Sequence, residues 1–324
     1  MIPIRNLFLI VLCILALISL GLSLSLGSVF ISPSDSFMAL HGQKESALYQ
    51  ILLEIRLPRV LCAFITGGLL ALAGVLMQAL LKNPLADPSI LGVSGGAGFG
   101  ALLWMFIGGS MLGLTTAASI GSLLAFSLVI IFSRVRGSTS SHSMLLAGVA
   151  LSSFFAALMS LILILSPDMQ LKSMLFWLMG DLSSAHMPIF ESLILLIGIA
   201  YSFVFAEHLN IFASGEEYAL GLGVNTKRLR LQIYILSSLL TATAVTLGGC
   251  IGFIGLIIPH LFRFVCTYDH RYLIPGSVLL GGIVLTIADT VARCIIPSQE
   301  LPVGMLTALI GIPVFIFFLR KQTL

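Results

Sequence analysis

Few side chains in this sequence are equipped for chemistry, and their spacing narrows what they can do. Asp289 and Arg293 stand four residues apart, the spacing that puts a carboxylate and a guanidinium on one helix face. That spacing favours mutual neutralisation over a role toward a substrate. His260, in Ile258-Pro259-His260-Leu261-Phe262-Arg263, reads as a packing or capping residue at a helix end. His142, beside Ser140, Ser141 and Ser143, either stands near a path or is a satisfied interfacial histidine. Cys13, Cys62, Cys250, Cys266 and Cys294 are scattered singly, with no C-x-x-C pair or His/Cys cluster to hold a metal. They read as small apolar packing residues. No GxxxxGK[ST] stretch is present to cradle nucleotide phosphates, and G-x-S-x-G and HExxH are absent too. The sequence therefore predicts no catalytic residue, no cofactor and no metal site, and any ATPase has to be another chain.

The elements that carry these residues are apolar helices. Of 324 residues 58% are hydrophobic and 9% charged, where a soluble domain carries roughly a quarter charged. A membrane span needs about 20 apolar residues. Charge-free runs cover 6–34, 60–81, 88–133, 137–167, 231–262, 272–288 and 301–319. The 88–133 run holds two spans hinged at Gly108-Gly109-Ser110. The 231–262 run holds one full and one short helix, interrupted by Gly248-Gly249 and Gly252. The 192–206 run supplies one more with upstream residues. These make ten spans of an all-α polytopic membrane protein. The first run is too long for a signal peptide and has no clean cleavage site, so it is expected to be a retained helix.

The most informative segment is 76–96, Leu-Met-Gln-Ala-Leu-Leu-Lys-Asn-Pro-Leu-Ala-Asp-Pro-Ser-Ile-Leu-Gly-Val-Ser-Gly-Gly. It breaks an apolar run at Lys82-Asn83-Pro84. Irregular backbone at membrane depth is tolerated only inside protein or along a wet cavity. The break therefore predicts a path near Asn83 and Leu85. Gly74 to Gln78 before this break faintly echoes Gly249 to Phe253 before Ile258-Pro259-His260, as opposed copies of an inverted repeat would.

With a cytoplasmic N-terminus, eleven of the sixteen lysines and arginines fall on the cytoplasmic side, in accord with the positive-inside rule. Three of the five outer cations, Arg56, Arg59 and Arg293, stand at helix ends against that bias. An arginine suits bidentate carboxylate pairing, so they either receive an acidic partner or snorkel to the interface. On the cytoplasmic side, 207–230 is the longest polar stretch. Ser214 with Glu217 matches a capping box, and Glu216 and Glu217 suit a helix N-terminus. That helix is expected to stop at Gly221 or Gly223, with a second short helix from near Asn225. The exposed Leu220-Gly221-Leu222 knob favours docking into another protein over lying on the membrane. On the outer side, 167–187 is expected to hold a short helix, with Trp177 as an interfacial aromatic.

Taken together, these motifs resemble the FecCD family of type II ABC importer permeases, over essentially the whole chain. The resemblance rests on Arg56-Leu-Pro-Arg59, Gly74 to Gln78, Asn83-Pro-Leu-Ala-Asp-Pro88, Leu91-Gly-Val-Ser94 and Leu146-Ala-Gly-Val-Ala150. Trp177-Leu-Met-Gly180, Leu220-Gly-Leu-Gly-Val224, Gly252 to His260, Asp289-Thr-Val-Ala-Arg293 and Leu301-Pro-Val-Gly304 carry it further. Ile31-Ser-Pro33 and Phe253 to His260 look most like the cobalamin-type members.

The resemblance implies one permease domain over 1–324, with ten transmembrane helices, an inverted repeat and the type II ABC importer transmembrane-subunit fold. It implies a homodimer in the bacterial inner membrane, two ABC ATPase subunits below, a periplasmic substrate-binding protein above and no nucleic-acid partner. Both termini would be cytoplasmic. Residues 215–229 would be the coupling helices, carrying Glu216, Glu217, Ala219, Leu220, Gly221, Leu222 and Gly223. Arg56, Arg59 and Arg293 would meet the binding protein. Asn83, Leu85, Ser141 and His142 would form the cytoplasmic gate, although His142 departs from the small hydroxyl residue of cobalamin-type members. The cargo would be cobalamin, haem or a ferric siderophore. Two readings compete with this one: an ion-coupled carrier, which lacks an acidic relay here, and a membrane scaffold without a path.

Overall fold

In hydrocarbon each unpaired backbone N–H or C=O costs several kcal/mol, so the apolar runs of this chain have to become helix. The structure, a computed structural model, describes residues 4–27, 31–32, 47–135, 138–139, 141–183, 186–296 and 300–322. Helix α1 (Ile4–Ser25) precedes a helical rod over Ala47–Leu81, π-wound at Gln50–Arg56 and α-helical in α2 (Leu57–Leu81). A break then holds the 3-10 turn Pro88–Leu91, followed by α3 (Val93–Phe106) and α4 (Met111–Ser133). The paired strands β1 (Arg134–Val135) and β2 (Ser138–Thr139) lead into α5 (Ser141–Leu165), with Arg134 opposite Thr139. Then come α6 (Asp168–Leu178), α7 (Ile189–Val204), α8 (Ala206–Ser214), α9 (Glu216–Gly221) and α10 (Thr226–Gly248). The last three are α11 (Ile254–Val265), α12 (His270–Cys294) and α13 (Val303–Gln322).

Every predicted apolar run carries a helix. By length and composition α1, the 47–81 rod, α4, α5, α10 and α12 can cross a membrane, and α7 with α8, bent by 61°, counts as one more. Helices α3 and α11 and the apolar part of α13 are shorter. The 14 residues of α3 reach about 21 Å, short of a hydrocarbon core of roughly 30 Å. The expected ten crossings thus include three helices whose apolar stretch falls short of a full span. Two of them, α3 and α11, are short because each begins at a chain break, with left-handed backbone at Gly92 (φ 79°) and Phe253 (φ 70°).

Helix α2 is the axis of the bundle. The best 18-residue stretch of its rod is 89% buried, against 22% for α1 and for α5. Helices α10, α11, α12 and α1 pack around it. Close approach depends on glycine, as in other membrane bundles. A Cβ at Gly67 would overlap the Gly281 carbonyl of α12, and one at Gly74 the Gly255 carbonyl of α11. Gly96 and Gly121 bring α3 and α4 together in the same way.

Several local expectations change. Ser214 ends α8, donating to its own helix at Asn210 O (3.1 Å), and the α9 N-cap is Gly215 with no side-chain cap. The capping box is not formed, because the chain turns at Gly215 (φ 148°), a backbone open to glycine but not to serine. The helix ends at Gly221 as expected. The helix from Asn225 is not short: Asn225 Oδ1 accepts from Arg228 N (3.0 Å) and caps α10, which runs unbroken to Gly248. Trp177 is buried with Ala97, Leu102 and Met174, so its ring joins a core cluster and not the interface.

Overpacking a helix crossing costs typically 1–3 kcal/mol. Gly74→Val should lower the melting temperature of the detergent-purified protein, whereas Gly21→Val, where a Cβ meets nothing within 4 Å, should leave it unchanged. Equal melting curves for the two variants would contradict the α2–α11 crossing.

Candidate functional site

The break after α2 is built so that little backbone is left wanting. Leu81 ends the helix, and Lys82 takes a left-handed conformation (φ 50°), its N–H donating to Gln78 O. Asn83 N–H donates to the same carbonyl (3.2 Å). Pro84 has no donor to offer. Asn83 Oδ1 accepts from Leu85 N (2.9 Å), and Asn83 O accepts from Ala86 N (3.1 Å), which closes an Asx turn. Asp87 then caps the 3-10 turn by accepting from Ser89 N (2.7 Å). Asn83 is exposed and Leu85 half-buried, so the turn presents itself at one end of the bundle. Ser141 and His142 open α5, and their side chains lie outside the described residues.

One residue that composition hid holds this turn. Gln78, 3% exposed, donates through Nε2 to Leu256 O (3.0 Å), Gly255 O (3.3 Å) and Ala86 O (3.4 Å). Its Oε1 accepts from Arg263. The foot of α2, the start of α11 and the turn are thus tied by one amide. Its only signal in the sequence is a lone glutamine in an apolar run.

At the same end, α8 packs on α2, and α9 packs on α8 and α10. Asn210 on α8 donates to Asp269 Oδ1 (2.8 Å) and accepts from His270 N (2.9 Å), joining α8 to the start of α12. Burial opposes the charge on Asp269, yet hydrogen bonds from Asn210 and Arg271 N, with the Arg271 and Arg5 charges, hold its carboxyl below the usual range. This contribution to stability is present above the ordinary carboxylate pKa and is lost in acid. Glu216 pairs with Arg230, and Ala219 is buried beneath α9. Glu217, Leu220, Gly221, Leu222 and Gly223 face outward.

The opposite end gathers Arg56, Arg59 and Arg293, and turns them inward. Arg59 donates through Nε to Asp289 Oδ1 (3.0 Å) and through Nη1 to Glu300 Oε2 (2.7 Å). Arg293 Nε lies 3.0 Å from Asp289 Oδ2, so the expected four-residue ion pair forms within α12, and Arg59 of α2 joins it. Arg293 Nη2 also donates to Ser23 Oγ (2.8 Å), and Arg56 Nη1 to Leu24 O (2.8 Å) and Ser25 O (3.1 Å). Helices α1, α2 and α12 are therefore locked together by charge. Asp289 is 1% exposed, while the Glu300 side chain is 51% exposed and closes the cluster from outside. Glu300 was not singled out from sequence, because nothing in its spacing links it to Arg59.

Removing one partner of a buried ion pair costs about 3–5 kcal/mol, because it leaves charge buried without compensation. Asp289→Asn should therefore lower the melting temperature far more than Glu300→Gln, whose partner can still reach water. A thermal-shift series in detergent checks the order.

The chain can be set beside known proteins. The sequence profile of the FecCD transport family matches residues 13–321. The hemin transport system permease protein HmuU of Yersinia pestis is 38% identical over 324 residues, covering 96% of this chain and 94% of that protein. The vitamin B12 import system permease protein BtuC of Citrobacter koseri is 38% identical over 315 residues, covering 96% and 93%. A solved inward-facing ABC transporter of metal-chelate type superposes with a TM-score of 0.86 at 33% identity, over 98% of this chain and 99% of that one. PsaBC from Streptococcus pneumoniae, with a TM-score of 0.54 at 17% identity, shares the fold alone. A bundle of apolar, interrupted helices, matched end to end by such permeases, has one placement: this chain belongs to the FecCD transport family.

Proposed function

We propose that this chain is the membrane-spanning subunit of an ATP-driven importer, working as a homodimer in a bacterial inner membrane with both termini in the cytoplasm. Its cargo is cobalamin or a related large metal chelate, haem or a ferric siderophore. The observation that carries this reading is the shared location of the Asx turn at Asn83 and the exposed Leu220-Gly221-Leu222 knob of α9, at the same end of α2. An ATPase dimer seated on α9 would act within reach of a turn that narrows the path. The names of the hemin and vitamin B12 permeases support the cargo class. Residues 215–229 serve as the coupling segment. Asn83 and Leu85 form one layer of the gate, and Ser141 and His142 the next.

At the other end, a periplasmic binding protein docks over Arg56, Arg59 and Arg293. Their burial gives the docking a mechanism: an incoming carboxylate competes with half-exposed Glu300 for Arg59. Alternating access follows when ATP closure of the partner dimer moves α9.

Reconstitution in proteoliposomes with ATPase and binding protein, assayed for uptake of cobalamin, haem and ferric siderophore, tests the reading. Uptake of one of them that requires ATP supports it. Uptake by this chain alone, or of none with any partner, overturns it. Leu222→Asp, which puts a charge where an apolar contact is needed, should release the ATPase subunits or abolish uptake while the helices stay inserted. Normal co-purification and transport would refute the docking role of α9.

In a background without native thiols, Leu85→Cys in both copies should crosslink when the gate is closed and separate when it opens to the cytoplasm. His142→Ser should loosen closure without abolishing it. Crosslinking indifferent to nucleotide would place the constriction elsewhere.

A further inference from the structure

Between the docking helices and the gate turn lies one contact that belongs to both. Lys82 closes α2 in a left-handed conformation (φ 50°) that a residue with a Cβ adopts only at a cost. Its Nζ sits 4.9 Å from the ring centroid of Phe212 on α8, close enough for a cation–π interaction. The Phe212 side chain is fully buried at 0% exposure, so the ring is held by the protein and moves only as α8 moves. On its C-terminal side Lys82 leads directly into Asn83, whose side chain closes the turn on Leu85. On the far side, α8 ends at Ser214 and passes through Gly215 into α9.

Two further features make this contact a lever. Asn210 fixes α8 to Asp269 and His270 of α12, which gives α8 a pivot. Beside the contact lies a recess of about 610 Å³, lined by Gln78, Asn83, Asn210, Ser214 and Arg263 among others, into which α8 has room to swing. With Asn210 as the pivot, any turn of α8 would change the distance between the Phe212 ring and the Lys82 ammonium. Gln78 holds the other edge of the turn to α11, so displacement is delivered to the turn and not to the whole foot of α2.

We propose that Lys82 is a positioning residue for transport, transmitting movement of the α8–α9 segment to the Asn83–Leu85 gate through its contact with Phe212. The inference rests on the reading of α9 as the ATPase-docking helix. Its test uses the full complex with ATPase subunits in proteoliposomes, carrying Leu85→Cys in a background without native thiols. ATP hydrolysis and nucleotide-dependent crosslinking are measured on the same samples.

Lys82→Met, which keeps length and loses charge, should leave ATPase bound and hydrolysing. It should cut the nucleotide-dependent change in crosslinking by about tenfold, within the usual range of coupling between sites. Phe212→Leu should do the same, while Lys82→Arg and Phe212→Tyr, which keep cation and ring, should retain the response. Lys82→Gly favours the left-handed turn without the ammonium. It separates the charge from the backbone and should fail like Lys82→Met, even if that variant proves unstable. A full gate response in Lys82→Gly or Lys82→Met, in a complex whose ATPase is lost on Leu222→Asp, overturns the latch alone. ATPase that stays bound and coupled in Leu222→Asp overturns the docking reading, and the latch with it.

Discussion

Backbone that cannot reach water has to be hydrogen-bonded by protein, and the burial of α2 is what allows this chain to break its helices. Interrupted backbone at 82–92 and at 249–253 would be prohibitive against lipid. It stands beside α2, which packs on α11 and α12 at close glycine contacts and against α10. Gln78 then supplies hydrogen bonds to the Gly255, Leu256 and Ala86 carbonyls. If the Gly74–Gly255 crossing were pushed apart, that amide would lose the carbonyls of α11, and the turn at Asn83 would lose its anchor.

The two ends of α2 solve different problems with the same helix. At the Arg59 end, charges are buried, and a buried ion persists only with partners in good geometry. Asp289 Oδ1 accepts a hydrogen bond from Arg59, its Oδ2 stands 3.0 Å from Arg293 Nε as an ion pair without hydrogen-bond geometry, and Ser23 accepts a further donor of Arg293. The effect is a charged clamp on α1, α2 and α12. At the Lys82 end, the backbone itself is irregular, and neutral amides and a cation–ring contact hold it. The Gln78 amide and the Phe212 ring are buried, while Lys82 and Asn83 are exposed beside an open recess.

The apolar face of α9 follows from its length. Six residues cannot bury a hydrophobic stripe of their own, so Ala219 packs inward while Leu220 and Leu222 stay exposed, 56% and 54%. The Glu216–Arg230 pair ties its first turn to α10. It is tied at its first turn and open on one face.

The sequence by itself determined the class of molecule, because a solvent without hydrogen bonds leaves helix as the remedy for charge-free runs, and it placed nearly every helix. It also located the break at Asn83-Pro84, where proline removes a donor, and the Asp289–Arg293 pair, which is set by helix periodicity alone. The tertiary structure decided what depends on partners distant in the chain. Whether Ser214 caps a helix was settled by the φ of Gly215, and whether Trp177 meets the interface by the packing of α6 against α3. That Arg59 binds Asp289, that Gln78 reaches α11 and that Lys82 meets Phe212 could not be read from local pattern. Each pairs residues 130 or more positions apart, and only the close packing of helices around α2 brings them within bonding distance.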